Sequence, residues 1–154
     1  MPHIHEKIDF TAEVFIVFSN KVLLRKHDKY KKWLSVGGHI ELDEDPNNAA
    51  IREAKEEVGL EIELSGGIFN PPKEGYKELI PPKFMNIHDI NENHKHITLV
   101  YFAKSQTNKL NLSQEELSEE CKWFSWEELM QNSHGIDEHI RKYAMTALYE
   151  LKEN

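Results

Sequence analysis

The chain has 154 residues, of which 39% are hydrophobic, 10% aromatic and 30% charged, and its formal net charge is −8. This composition excludes a disordered or low-complexity chain, and the length predicts a single globular domain over residues 1–154. The excess of acidic residues argues against a nucleic-acid-binding protein with a broad basic surface.

The first elements follow from the spacing of the apolar residues. Residues 10–18 are apolar on both faces, which is typical of a central strand buried on both sides. A second strand is predicted over residues 22–24. A short third strand covers residues 33–36, and we expect the glycine pair at 37–38 to end it.

A helix is predicted after these strands, with a signal at each end. Asp45 is suited to the N-cap and Pro46 to the first helical position. The helical pattern continues to Val58, and Gly59 is expected to end the helix.

The rest of the chain alternates between short strands, loops and helices, which predicts a mixed sheet packed between helices. In chain order we expect a strand over 61–69 broken at 66–67, a loop over 70–82, strands over 84–90, 96–103 and 122–124, a capping box at 125–128 and an amphipathic helix over 136–151.

The location of the protein is predicted from what the sequence lacks. No apolar run approaches the ~18 residues of a membrane-spanning helix, and residues 1–10 lack the apolar stretch of a signal peptide. One cysteine, Cys121, excludes an internal disulfide and fits a reducing compartment. We therefore expect a cytoplasmic monomer or homodimer whose partner is a small molecule rather than a membrane or a nucleic acid.

Negative charge is concentrated in the predicted helix and the loop before it. Residues 38–60 contain seven acidic and two basic residues, a net charge of −5. Glu53, Glu56 and Glu57 are spaced i, i+3 and i+4, so a helix presents them on one side, where they repel one another. A solvated acidic surface is the ordinary interpretation, but a hard divalent cation such as Mg²⁺ would relieve the repulsion.

The spacing within this segment resembles the Nudix box, G-x5-E-x7-R-E-U-x-E-E-x-G-U, where U is a bulky aliphatic residue. Ala54 is smaller than the usual aliphatic residue at its position. The matching residues are Gly38, Glu44, Arg52, Glu53, Glu56, Glu57, Gly59 and Leu60. The resemblance implies an α/β/α sandwich around a mixed sheet. It also implies a hydrolase of nucleoside diphosphates linked to another group, with Mg²⁺ or sometimes Mn²⁺ as the cofactor.

The resemblance also implies roles for the box residues. Glu56 and Glu57 are the first candidates for metal ligands, Glu53 is the next, and a backbone carbonyl at Gly38 is a further one. Catalytic roles are expected for Glu53 and Glu57.

Arg52 and Glu44 are expected to orient the other groups, since Arg52 can pair with one acid and Glu44 can reach back to it. The general base stays open between a box glutamate and a loop acid. The candidates are Glu53, Glu57, Glu92, Glu116 and Glu119.

The substrate also stays open at this stage. A nucleoside triphosphate leads, ahead of a dinucleoside polyphosphate, for which Tyr76 in the predicted loop is a weak indication, and a nucleotide-sugar. A nucleotide sensor without hydrolysis would be expected to lack box glutamates, and none is missing. His94 and His96 alternate on a strand and could bind zinc, but we expect them to contact phosphate or to form a polar loop end.

Overall fold

The computed structural model describes residues 5–112 and 120–154, which form eight strands and three helices. The strands are β1 (Ile8–Phe18), β2 (Lys21–His27), β3 (Lys32–Leu34), β4 (Val36–His39), β5 (Ile62–Leu64), β6 (Phe84–Asn91), β7 (His94–Ser105) and β8 (Glu120–Phe124). The helices are α1 (Pro46–Val58), α2 (Trp126–Gln131) and α3 (Glu138–Glu150). No helix within the described ranges is long and apolar enough to cross a membrane.

The strands form one mixed sheet with β1 near its centre, as predicted. Strand β1 pairs in parallel with β7 and antiparallel with β2 and β4. Strand β2 also pairs with β3 and β8, and β7 also pairs with β5 and β6, all antiparallel. The expected α/β fold with a mixed sheet is therefore confirmed.

Helices cover both faces of this sheet because β1 is apolar on both. Val14 belongs to the core cluster that contains Ala50 and Ala54 of α1. Phe15, on the other face, belongs to the cluster that contains Ala144 of α3. Burying an aliphatic or aromatic side chain in this way contributes about 1.5–3 kcal/mol, so β1 anchors both layers.

The third predicted strand is wrong in one respect. Residues 33–36 belong to two strands, β3 against β2 and β4 against β1, and the glycine pair lies inside β4 rather than ending a strand. The reason is space: a Cβ added to Gly37 would lie 2.5 Å from the carbonyl oxygen of Ala12. Glycine here permits close approach of two backbones.

Helix α1 begins and ends where the sequence predicted. The Asp45 side chain accepts a hydrogen bond from the Asn48 N–H, and Pro46 occupies the first turn. Gly59 has a left-handed backbone with φ 71° and donates its N–H to the last turn. The capping box at Ser125 is also present. Strand β5 is shorter than predicted and ends before Gly66, whose φ of 132° takes the backbone out of the strand conformation.

Candidate active site

Helix α1 presents its three box glutamates in different environments. Glu53 and Glu57, one turn apart, are only 4% and 8% exposed, whereas the Glu56 side chain is 61% exposed. The buried pair faces the sheet and Glu56 faces solvent, so the three carboxylates follow the edge of the helix–sheet contact.

Arg52 connects the carboxylates of the helix to the loop before it. Its Nε and Nη2 donate to the two carboxylate oxygens of Glu44 at 2.6 and 2.9 Å. Its Nη1 donates to Glu53 Oε1 at 3.0 Å and to Glu56 Oε2 at 3.1 Å. The hydrogen bonds from Arg52 to Glu44 hold the pKa of Glu44 below its usual range. One guanidinium thus holds the carboxylates of Glu44, Glu53 and Glu56 in place. The contact between Arg52 and Glu44 is the one that the sequence suggested.

Glu57 is held by different partners. Its Oε1 accepts from the backbone N–H of Gly37 at 2.8 Å, and its Oε2 forms a buried ion pair with Arg25 of β2. The sequence analysis missed Arg25, because no spacing relates it to the box. The only signal is a charged residue directly after the apolar run 22–24.

Gly38 lies directly against the carboxylate of Glu53. A Cβ at this position would be 2.3 Å from Glu53 Oε1, so only glycine leaves room for that carboxylate. This contact explains why a glycine is needed here. The role of the Gly38 carbonyl as a metal ligand stays a prediction.

The donor set is suited to a hard divalent cation. Burial raises the pKa of Glu53 and the Arg52 guanidinium opposes this shift, so positive charge beside the carboxyl group favours its ionised form. Carboxylate oxygens are the ligands that Mg²⁺ prefers. Glu53, Glu56 and Glu57 therefore fit the metal that the resemblance implies.

A cavity of about 580 Å³ lies on the face of the sheet that α3 covers. Its lining includes Gly37 and Gly38, which separate it from the box glutamates, and Arg25. Glu13 and Tyr143 also line it. The volume is in the range of small-molecule sites, about 300–1,000 Å³.

Glu13 is the second residue that the sequence analysis missed. It lies on β1 opposite Gly37, and its Oε1 is buried without a hydrogen-bond partner among the described residues. Burial raises the pKa of Glu13 to about 7, against the opposing effect of a hydrogen bond with Ser35. A charged residue within an apolar strand was the available signal.

The pKa of Glu13 predicts a pH-dependent stability. Below about pH 4.5 the Glu13 carboxyl is protonated in both the folded and the unfolded chain. As the pH rises to about 7, this carboxyl ionises freely only in the unfolded chain, so the free energy of unfolding falls. At pH 8, Glu13→Gln should stabilise the protein by about 1–3 kcal/mol, with little effect at pH 4.5. Denaturant melts at both pH values test this. The exposed variant Glu63→Gln is the control, and an equal response of both variants would contradict the assignment.

Comparison with known proteins places the chain in a family. The family model of the NUDIX domain matches residues 10–145. The chain belongs to the Nudix hydrolase family. It is therefore a Nudix-type hydrolase, acting on pyrophosphate bonds.

Solved structures agree with this assignment. A Nudix-family hydrolase from Clostridium perfringens is 41% identical, with a TM-score of 0.81 over 94% of this chain and 98% of that one. Two more distant structures share the fold. A MutT Nudix hydrolase from Burkholderia pseudomallei is 21% identical, with a TM-score of 0.63 over 96% of this chain and 100% of that one. A MutT protein from Methanosarcina mazei Go1 is 17% identical, with a TM-score of 0.69 over 97% of this chain and 99% of that one. No curated protein matches the sequence.

Among the base candidates of this Nudix hydrolase, the structure brings Glu53 and Glu57 to the site. Glu92 lies in the exposed turn between β6 and β7 and does not line the cavity. Glu116 and Glu119 lie outside the described residues.

Proposed function

We propose that this Nudix hydrolase is a Mg²⁺-dependent pyrophosphohydrolase that acts on a nucleoside triphosphate or another nucleoside diphosphate derivative. The observation that carries the proposal is the convergence of Glu53 and Glu56 on one nitrogen of Arg52, with Glu57 beside them. A site so rich in carboxylates repels an anionic diphosphate unless cations lie between them.

The proposed metal site uses side chains that are already oriented. Glu53, Glu56 and Glu57 would hold Mg²⁺, or Mn²⁺ in its place, with the Gly38 carbonyl as a further ligand. The bound metal would polarise the phosphoryl oxygens and lower the pKa of a coordinated water. Arg52 would act as a positioning residue, because it holds two of the three carboxylates in place.

Glu44 and the general base complete the proposed roles. Glu44 accepts two hydrogen bonds from Arg52 and so keeps the guanidinium in its orientation. Both carboxylate oxygens of Glu57 already have partners, in Gly37 and Arg25. In Glu53 only one of the two oxygens, Oε1, accepts a hydrogen bond from Arg52. We therefore place Glu53 ahead of Glu57 as the base that takes a proton from the attacking water.

The cavity next to the box is proposed to bind the nucleoside part of the substrate. Its volume of about 580 Å³ and the Tyr143 ring in its lining fit a flat, polar group. Tyr76, the weak indication for a dinucleoside polyphosphate, lies in the loop before β6 with its hydroxyl 3.3 Å from the Asn70 amide, and it does not line this cavity. A nucleoside triphosphate therefore stays the first candidate.

A panel of substrates tests the proposal. With Mg²⁺, the protein should release phosphate or pyrophosphate from at least one nucleoside triphosphate, dinucleoside polyphosphate or nucleotide-sugar. EDTA should abolish turnover, and an excess of Mg²⁺ should restore it, because the box carboxylates cannot hold the diphosphate alone. Full activity in excess chelator would contradict the mechanism. Tight nucleotide binding without turnover would support a sensor instead.

A further inference from the structure

A second group of possible metal ligands lies where β1, β4 and β7 meet, outside the box. Asp9 lies near the start of β1 and pairs across the strands with His96 of β7. His94, two residues earlier on β7, presents its side chain on the same face. One ligand atom from each of these three residues lies within 4.8 Å of the other two. His39, at the end of β4, is the fourth member of this Asp9–histidine cluster.

Three of the four residues of the cluster are buried, and His96 is half-buried. Asp9 is fully buried, His94 is 4% exposed and His39 is 7% exposed. A carboxylate in such surroundings is costly unless hydrogen bonds or a cation compensate its charge. Asp9 Oδ1 accepts from the backbone N–H of His5, and Oδ2 faces the imidazoles.

One distance within the proposed ligand set is close to that of a tetrahedral metal site. Asp9 Oδ2 lies 3.2 Å from His94 Nε2 and 3.3 Å from His39 Nε2. Two ligands at about 2.0–2.1 Å from a tetrahedral Zn²⁺ are about 3.3–3.4 Å apart. The Asp9–His94 edge therefore already has nearly the length that zinc requires.

The orientation of His94 strengthens this interpretation. Its Nδ1 lies 3.0 Å from the carbonyl oxygen of Glu6, and a carbonyl can only accept, so Nδ1 donates. A metal would then bind at Nε2, which lies on the Asp9 side of the ring, in place of a proton shared between Nε2 and Oδ2. A backbone carbonyl behind a metal-binding histidine fixes the tautomer in the same way. A single proton can be shared between Oδ2 and only one imidazole, whereas a metal ion can bind Oδ2 and several imidazoles at once.

We propose that Asp9, His94 and His96 bind a transition-metal ion of the Zn²⁺ type, separately from the Mg²⁺ of the box. Imidazole nitrogens with one carboxylate suit Zn²⁺, whereas the all-carboxylate box suits Mg²⁺. Three protein ligands leave a fourth position for water. This proposal goes beyond the expectation that His94 and His96 contact phosphate or form a polar loop end.

The proposed zinc site adjoins the box through β4. The backbone carbonyl of His39 accepts from Arg52 Nη2 at 3.1 Å, while its imidazole contacts Asp9. Gly38, the preceding residue, packs on Glu53. The proposed ligands lie on β1 and β7, so a metal at Asp9 would hold these two strands together and would reach β4 only through the contact between Asp9 and the His39 imidazole.

Zinc content and affinity test the proposal without any turnover. The full chain, freed of metal by chelator, should bind one equivalent of Zn²⁺ in calorimetry with Mg²⁺ in excess. Replacement by Co²⁺ should give the intense visible bands of a four-coordinate ion, not the weak bands of six-coordination. His94→Gln and His96→Gln should each weaken Zn²⁺ binding by at least about 100-fold, since even outer partners of a ligand are worth 10–100-fold.

Two controls distinguish the cluster from other zinc-binding groups. His134→Gln removes an exposed histidine elsewhere, and Glu56→Gln removes a box carboxylate; both should keep the wild-type Zn²⁺ affinity. Equal affinity of the His94 variant and the His134 variant would overturn the proposal. So would a wild-type chain without Zn²⁺ binding or four-coordinate Co²⁺ bands, which would indicate a proton-linked network. The Co²⁺ spectrum needs no variant, so it decides even if the His94 variant fails to fold.

Discussion

Glu56→Gln and Glu57→Gln should each lower kcat/KM by at least about 100-fold, which corresponds to about 2.7 kcal/mol of transition-state stabilisation. Their effects on stability should differ. The Glu56 side chain is 61% exposed, so its loss should leave the free energy of unfolding unchanged or raise it by up to about 1 kcal/mol as repulsion is relieved. Glu57→Gln removes the carboxylate that pairs with buried Arg25 and should cost about 3 kcal/mol.

Initial rates on the best substrate and melting curves with and without Mg²⁺ measure these effects. Mg²⁺ should raise the melting temperature of the wild type by mass action and that of the two variants less. Glu61→Gln, which alters an exposed acid just beyond the helix, is the matched control. Near-wild-type rates in both box variants would show that neither carboxylate holds the metal.

Alanine substitutions at the adjacent glycines Gly37 and Gly38 should differ in effect, one lowering stability and the other lowering activity. In Gly38→Ala the new Cβ meets the end of the Glu53 side chain, 2.3 Å away, and that side chain can rotate. The fold should survive while the displaced carboxylate lowers kcat/KM by at least about 10-fold, or about 1.4 kcal/mol. In Gly37→Ala the Cβ meets the Ala12 carbonyl at 2.5 Å, which cannot move away without shifting β1. That overpacking should cost about 1–3 kcal/mol of stability.

The two alanine variants are each other's control, because the added group is identical and the positions are adjacent. Denaturant melts should place Gly37→Ala well below Gly38→Ala in stability. Rates measured where both are folded should show the loss of kcat/KM in Gly38→Ala. If Gly38→Ala keeps the wild-type kcat/KM, the position of Glu53 does not limit the reaction.

Local signals explain what the sequence could predict. Helix α1 was predicted with both ends, because Asp45, Pro46 and Gly59 act on neighbouring residues. The box spacing placed three carboxylates on one side of that helix. In contrast, Arg25 and Glu13 stand out locally only as charged residues in or beside apolar strands, and their positions at the site depend on strand pairings that the sequence does not show.

The same limit explains the errors. The glycines at 37–38 appeared to end a strand because their need for close packing depends on β1 and α1, which are remote in sequence. The grouping of His94 and His96 with Asp9 was not predicted either, because Asp9 lies on another strand and no local pattern relates the three residues. The single-domain prediction for residues 1–154 stays a prediction.

Because side chains along β1 alternate between the two faces of the sheet, the polarity of the cavity depends on the register of this strand. The side chains of Thr11 and Glu13 lie on the cavity face of β1, while those of Ala12 and Val14, which alternate with them, belong to the core cluster that contains α1. Inserting one residue before Thr11 would exchange these two sets, since neighbouring side chains in a strand point to opposite faces. Polar groups would then enter the apolar layer, and aliphatic groups would face the cavity. We therefore expect natural variation in this strand to consist of substitutions, with length changes confined to the loops.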